Sequence, residues 1–164
     1  MFTFIDKLTK VSALLGGLVL SALGVMTAYS VMGRYFFSNP ILGDTEIIQV
    51  GMGFCIAAFL PICQWRSGNI IVDFFTTGAR DSTKNTLDRM GALAVGIMLF
   101  AIGYRAVYGL LSQKAANATT MMMQIPEWMV YSLMAPPLLL TAFIGLYMSL
   151  TGTNGKANAR EALL

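Results

Sequence analysis

Residues 34–73 read RYFFSNPILGDTEIIQVGMGFCIAAFLPICQWRSGNIIVD. The centre of this stretch, from about 45 to 65, is an apolar run long enough to enter a bilayer, because a spanning helix needs about 20 such residues. A polar hairpin carrying Arg34, Asp44 and Glu46 leads into it. Trp65, Arg66, Ser67, Gly68 and Asn69 close it, and a shorter apolar run with Asp73 in its middle follows. The stretch reads as a membrane helix with two differently decorated ends.

Composition extends that reading to the whole chain. Of 164 residues, 56% are hydrophobic and 12% charged, and the mean hydropathy is +0.67. Soluble domains carry about 25% charged residues, so the chain falls in the membrane class. There is no histidine, which excludes bis-histidine haem and a Ser-His-Asp triad and removes the commonest metal ligand. Cys55 and Cys63 lie eight residues apart, about 12 Å along a helix. A disulfide needs Cα atoms within about 7 Å, so both read as small apolar packing residues.

Working outward, the expected fold class is an all-α integral membrane protein. It has four transmembrane helices, about 11–32, 45–65, 87–112 and 128–150, plus short interfacial amphipathic segments, in one domain over 1–150. Residues 1–10 form an amphipathic lead whose Phe2, Phe4, Ile5 and Leu8 can lie on the interface. A cleaved signal is the competing reading, but its apolar core runs only about 7–15 residues, and this run continues to Met32. In the first span Gly17, Ser21, Gly24 and Ala28 make a face of small residues that another helix can approach closely. Tyr35, Phe36 and Phe37 fit an interfacial aromatic belt. Asn39, Pro40 and Gly43 are turn residues, and Asp44 with Thr45 reads as the N-cap region of the second helix, Glu46 lying in its first turn.

Pro61 predicts a kink or early stop. Between 66 and 89, the longest connection, Ile70, Ile71, Val72, Phe74 and Phe75 form a patch too short to span. Arg105 lies inside the third span but close enough to its end to snorkel. Met121, Met122 and Met123 read as an adaptable apolar contact surface. Trp128 is an interfacial anchor at the start of the last span, Pro136 and Pro137 bend that span, and 151–164 is a mobile tail.

Lys7, Lys10, Arg66, Arg80, Lys84, Arg89, Lys156 and Arg160 fall on one side of such a bundle, against Arg34, Arg105 and Lys114 on the other. The positive-inside rule then puts both termini in the cytoplasm. No phosphate loop, ligand cluster or nucleophile–base pair is present in the sequence, so neither enzyme nor cofactor is expected, and nucleic acid is not an expected partner. An ion-coupled carrier needs acids near the midplane, and the nearest candidate, Glu46, sits at a helix end. An accessory subunit of a membrane complex fits better. Two alternatives stay open on the residues alone: a self-sufficient four-span transporter, and an anchor subunit of another complex.

The order of features resembles one family. Arg34-Tyr35-Phe36-Phe37 followed by Pro40, the Gly43-Asp44-Thr45-Glu46 opening, the run from Trp65 to Asp73, and Ile125-Pro126-Glu127-Trp128 together resemble the small membrane subunit, the DctQ-type Q subunit, of a TRAP (tripartite ATP-independent periplasmic) transporter. Two positions depart from that pattern: Thr45 stands where a second acid is common, and Asn69 where a histidine is. The resemblance implies a scaffold role beside a large multi-span elevator-type permease subunit. It also implies a periplasmic binding protein that delivers an organic acid, sodium-driven uptake, and a bacterial inner-membrane location among membrane lipids. Candidate contact residues on that reading are Gly17, Ser21, Gly24, Ala28, Arg34, Tyr35, Asp44, Glu46, Trp65, Arg66, Asp73 and Trp128.

Overall fold

The computed structural model of the chain describes residues 2–37, 42–66 and 81–151. The Asn39–Pro40 turn, the 70–77 patch with Asp73, and the tail beyond 151 lie outside the described residues. Four helices follow in order: α1 (Phe2–Phe37), α2 (Asp44–Trp65), α3 (Asp81–Ala116) and α4 (Glu127–Thr151). All four are long and apolar enough to cross a membrane. Among the described residues the only extended pairing is an antiparallel bridge between Thr119 and Pro126.

The helices lie in the order α1, α2, α4, α3, each packed mainly on its neighbours. Pairs along α1 and α2 run antiparallel. Ser12 donates to the Ala58 carbonyl at 2.9 Å, the Cys55 thiol to the Gly16 carbonyl at 3.3 Å, and Ser30 meets Asp44 at the far end. α3 and α4 are also antiparallel and approach most closely where two glycines meet. A Cβ on Gly145 would lie 2.9 Å from the Gly96 Cα. α2 runs parallel to α4, with Gly53 against Met134 and Ala57 sharing a buried cluster with Leu99, Leu138 and Ala142.

α1 has 36 residues, about 54 Å of helix at 1.5 Å per residue, against a hydrocarbon core of about 30 Å. The helix is therefore longer than a span of 11–32, which at about 33 Å matches that core by itself, and residues 2–10 continue it as helical turns. The physical reason is packing. Ile5 and Thr9, one turn apart, are buried, and Ile5 joins Trp65, Ile144 and Met148 in a core cluster. Lys10 pairs with Asp6 at 2.7 Å on the exposed side. α3 likewise begins at Asp81, so the polar stretch before residue 89 is helix.

Pro61 neither stops nor shortens α2, which runs on to Trp65, with the Arg66 amide donating to the Ile62 carbonyl at 3.0 Å. α4 continues through Pro136 and Pro137. Both cysteines are free; Cys55 is buried as a packing residue, whereas Cys63 is exposed on the outer surface of α2.

Candidate functional site

Among the described residues, several side-chain hydrogen bonds that join one element to another gather at one end of the bundle, where α1 ends, α2 begins and the α3–α4 connection turns. Gly43 starts it. Its φ of 78° is left-handed, a conformation that costs other residues about 1–2 kcal/mol. A Cβ there would collide with the Met123 side chain. Gly43, not Asp44, is the N-cap of α2, and no side chain caps that helix. Its carbonyl instead accepts the amides of Glu46 at 3.1 Å and Ile47 at 3.2 Å.

That turn releases Asp44 and Glu46 for different work. Asp44 reaches back to α1. Its Oδ2 accepts the Ser30 hydroxyl at 2.6 Å and the Arg34 guanidinium at 3.3 Å, while its Oδ1 accepts the Thr45 amide at 2.7 Å. Glu46 points to the α3–α4 connection. Its Oε1 accepts the Met122 amide at 2.8 Å and its Oε2 the Met123 amide at 3.0 Å. A carboxylate that accepts two backbone N–H groups makes short, charge-assisted bonds. One acid ties α1 to α2, and the other ties α2 to the loop.

The loop closes on itself before it meets Glu46. Asn117 and Gln124 take positive φ values of 49° and 53°. Between them the Thr120 amide donates to the Ile125 carbonyl at 3.0 Å, and the Ile125 amide donates to the Thr120 hydroxyl at 3.0 Å. Met121, Met122 and Met123 are left outermost, with Met121 98% exposed. Their side chains form a soft apolar surface at the same end as exposed Tyr35, Phe36 and Leu42. At the base of the loop Gln113 donates to Glu127 at 2.8 Å. The Lys114 ammonium sits 5.8 Å over the half-buried Trp128 ring, a cation–π contact.

The predicted residues divide into three groups. Arg34, Tyr35, Asp44, Glu46 and Trp128 share this end. Trp65 and Arg66 lie at the opposite end, and Trp65 is 3% exposed; it is a core residue packed with Ile5 of α1 and Ile144 and Met148 of α4. Gly17, Ser21, Gly24 and Ala28 occupy a face of α1 that α2 does not use, and a Cβ on Gly17 or Gly24 meets nothing within 4 Å. The intramolecular face is one residue over, through Ser12, Gly16, Leu23 and Ser30. A signal for it was present, because two serines in an apolar run need partners. No signal marked the amides of Met122 and Met123 as the partners of Glu46, since every backbone carries such donors.

Among the described residues no group of three or more His, Cys, Asp or Glu side chains is placed to hold a metal ion. The arrangement can orient a surface and join elements; its carboxylates are engaged in doing so. A family model described as tripartite ATP-independent periplasmic transporters, DctQ component, matches residues 23–154. No curated protein and no solved structure matches the chain.

Proposed function

The chain belongs to the DctQ component family of tripartite ATP-independent periplasmic transporters, and from that premise we propose that it is the fixed scaffold against which a large, elevator-type permease subunit moves. In this reading the assembly takes up an organic acid, delivered by a periplasmic binding protein and driven by the sodium gradient. The chain sits in the bacterial inner membrane with both termini in the cytoplasm. The 34–46 and 113–127 connections then face outward.

The observation that carries the reading is how little of each span the chain covers for itself. The apolar windows of α1, α2, α3 and α4 are only 11%, 22%, 22% and 39% buried. Four helices laid side by side present broad faces to their surroundings, and α1 adds to this an open small-residue face suited to close helix approach. A scaffold needs such faces, interfacial anchors and a rigid outer end, and it needs no ion site of its own. The Glu46 clamp supplies the rigidity, because it fixes the methionine surface relative to α2.

Two measurements test the proposal. Purification of the tagged chain from native membranes in mild detergent should recover a large multi-span permease at equal stoichiometry. Recovery of the chain with itself alone would sink the scaffold reading. Replacing Glu46 with Lys removes the acceptor for two amides and puts a like charge beside them, so uptake should fall while the amount of membrane-inserted complex holds. Unchanged uptake removes Glu46 from the mechanism.

A further inference from the structure

Arg105 is a cation that the scaffold role does not use. It lies on α3 eleven residues before the helix ends at Ala116, and six before Leu111, the last residue of the apolar run. That places its Cα about 9 Å below the apolar boundary at 1.5 Å per residue. The two ion pairs among the described residues, Asp6–Lys10 and Arg34–Asp44, leave it out. From that depth its long side chain can snorkel towards the headgroup phosphates, and an arginine within a span marks a functional position by default.

Its setting is a groove rather than a flat helix face. Residues of α3 and α4 together line an open hollow of about 600 Å³ here. The polar part of its lining follows α3 towards the loop end in steps of one turn, Arg105, then Tyr108, then Ser112. Tyr131 of α4 contributes a ring that packs on Gly109, where a Cβ would lie 2.8 Å from it; the glycine lets that ring form the wall. The rest of the hollow is apolar, with Ile102 on α3 and Met134 and Leu138 on α4.

We propose that this groove binds an anionic phospholipid, its phosphate held by the Arg105 guanidinium and the hydroxyls of Tyr108 and Ser112, and an acyl chain laid along Ile102, Met134 and Leu138. Charge complementarity selects an anion, and a guanidinium with flanking hydroxyls is a donor set matched to phosphate oxygens. Depth selects the source. A groove that opens sideways below the boundary of the apolar band is reached by lipid, whereas a dissolved anion would have to leave water to enter. The hollow also suits a flexible chain better than a helix, which needs a smooth face of small residues for close approach. The site gives the edge helix of the layer a bound lipid that seals α3 to α4 on the loop side.

The inference needs only that the helices span a bilayer, so it stands apart from the transport reading, and recovery of a large subunit is scored separately. The full chain, with whatever subunits accompany it, is moved from native membranes into phosphatidylcholine nanodiscs doped with photoactivatable phosphatidylglycerol, and the adducts are mapped by mass spectrometry. Wild type should cross-link phosphatidylglycerol at the groove in preference to a photoactivatable phosphatidylcholine control. Arg105→Gln should lower that yield about tenfold, the factor that about 1.4 kcal/mol represents, and Arg105→Lys should retain most of it. Ala106 also lines the hollow; Ala106→Phe keeps the charge but fills the space, and should also lower the yield. Arg105→Gln raises the hydropathy of the span, so insertion is retained, and matched protein levels confirm that. Equal yields for wild type and Arg105→Gln, or equal capture of phosphatidylcholine, would each overturn the proposal.

Discussion

Substituting Gly145 by alanine should destabilise the chain, whereas the same change at Gly24 should not. At Gly145 the new Cβ would stand 2.9 Å from the Gly96 Cα, 3.0 Å from the Ala92 carbonyl oxygen and 3.1 Å from the Gly96 nitrogen. All three atoms are backbone, so no side chain can swing aside. Restoring an ordinary 3.4 Å contact parts α3 and α4 by about 0.5 Å, a gap that forfeits about a quarter of each dispersion well it opens. Overpacking costs about 1–3 kcal/mol, and rigid neighbours place this case in the upper half of that range. The gain in helix propensity from Gly to Ala returns up to about 1 kcal/mol. The net loss is about 1–2 kcal/mol, a fall in Tm of about 2–8 °C for a chain of this size.

At Gly24 nothing lies within 4 Å of the added methyl, so only the propensity term acts and Tm should hold or rise. The assay is thermal unfolding of the purified chain in detergent, followed by tryptophan fluorescence. A Tm for Gly145→Ala at or above wild type would refute the backbone contact between α3 and α4. Gly24→Trp extends the test to the assembly: its Cβ meets nothing within 4 Å in this chain, yet the bulk it adds to the open face should sharply reduce recovery of the large subunit. Undiminished recovery would show that the open face of α1 is not where the partner packs.

Trp65→Ala empties a site that is 3% exposed among Ile5, Ile144 and Met148, and should cost about 3–5 kcal/mol, read as a lowered Tm; an interfacial tryptophan would show a far smaller drop. Gly43→Ala forces a left-handed φ on a residue with a Cβ, about 1–2 kcal/mol, and pushes on Met123. Amide exchange at Met122 and Met123 should then quicken, and unchanged protection would show that the turn does not hold the loop. In detergent, a membrane-permeant thiol reagent should modify Cys63 and spare Cys55, whose thiol is buried against the Gly16 carbonyl; equal labelling would contradict the α1–α2 register.

The division between what was legible in the sequence and what was not follows from range. Four apolar helices, a polar cluster of Arg34, Asp44 and Glu46 and a soft methionine surface were readable because each depends on a local run of residues and on bilayer thickness. The family resemblance was readable for the same reason, as an order of short motifs along the chain. The faces were harder. Gly17, Ser21, Gly24 and Ala28 and the set Ser12, Gly16, Leu23 and Ser30 are both stripes of one helix, and nothing in α1 by itself says which one α2 takes. The structure decides it, through Cys55, Ala58 and Asp44, residues 14 to 46 positions away.

Trp65 shows the same limit from the other side. A tryptophan at the end of an apolar run has the composition of an interfacial anchor, and it becomes core because Ile5 in the first turns of α1 and Ile144 and Met148 of α4 pack on it. Glu46 shows it most sharply. Its charge and its place in the first turn of α2 are sequence properties, but its partners are two backbone amides 76 and 77 residues on. Sequence by itself determined which segments leave water, since burial in lipid depends on each segment's own hydropathy. Tertiary structure alone decided which face meets which, because helix contacts in a bilayer are set by shape and by pairing of polar groups, and those depend on both partners at once.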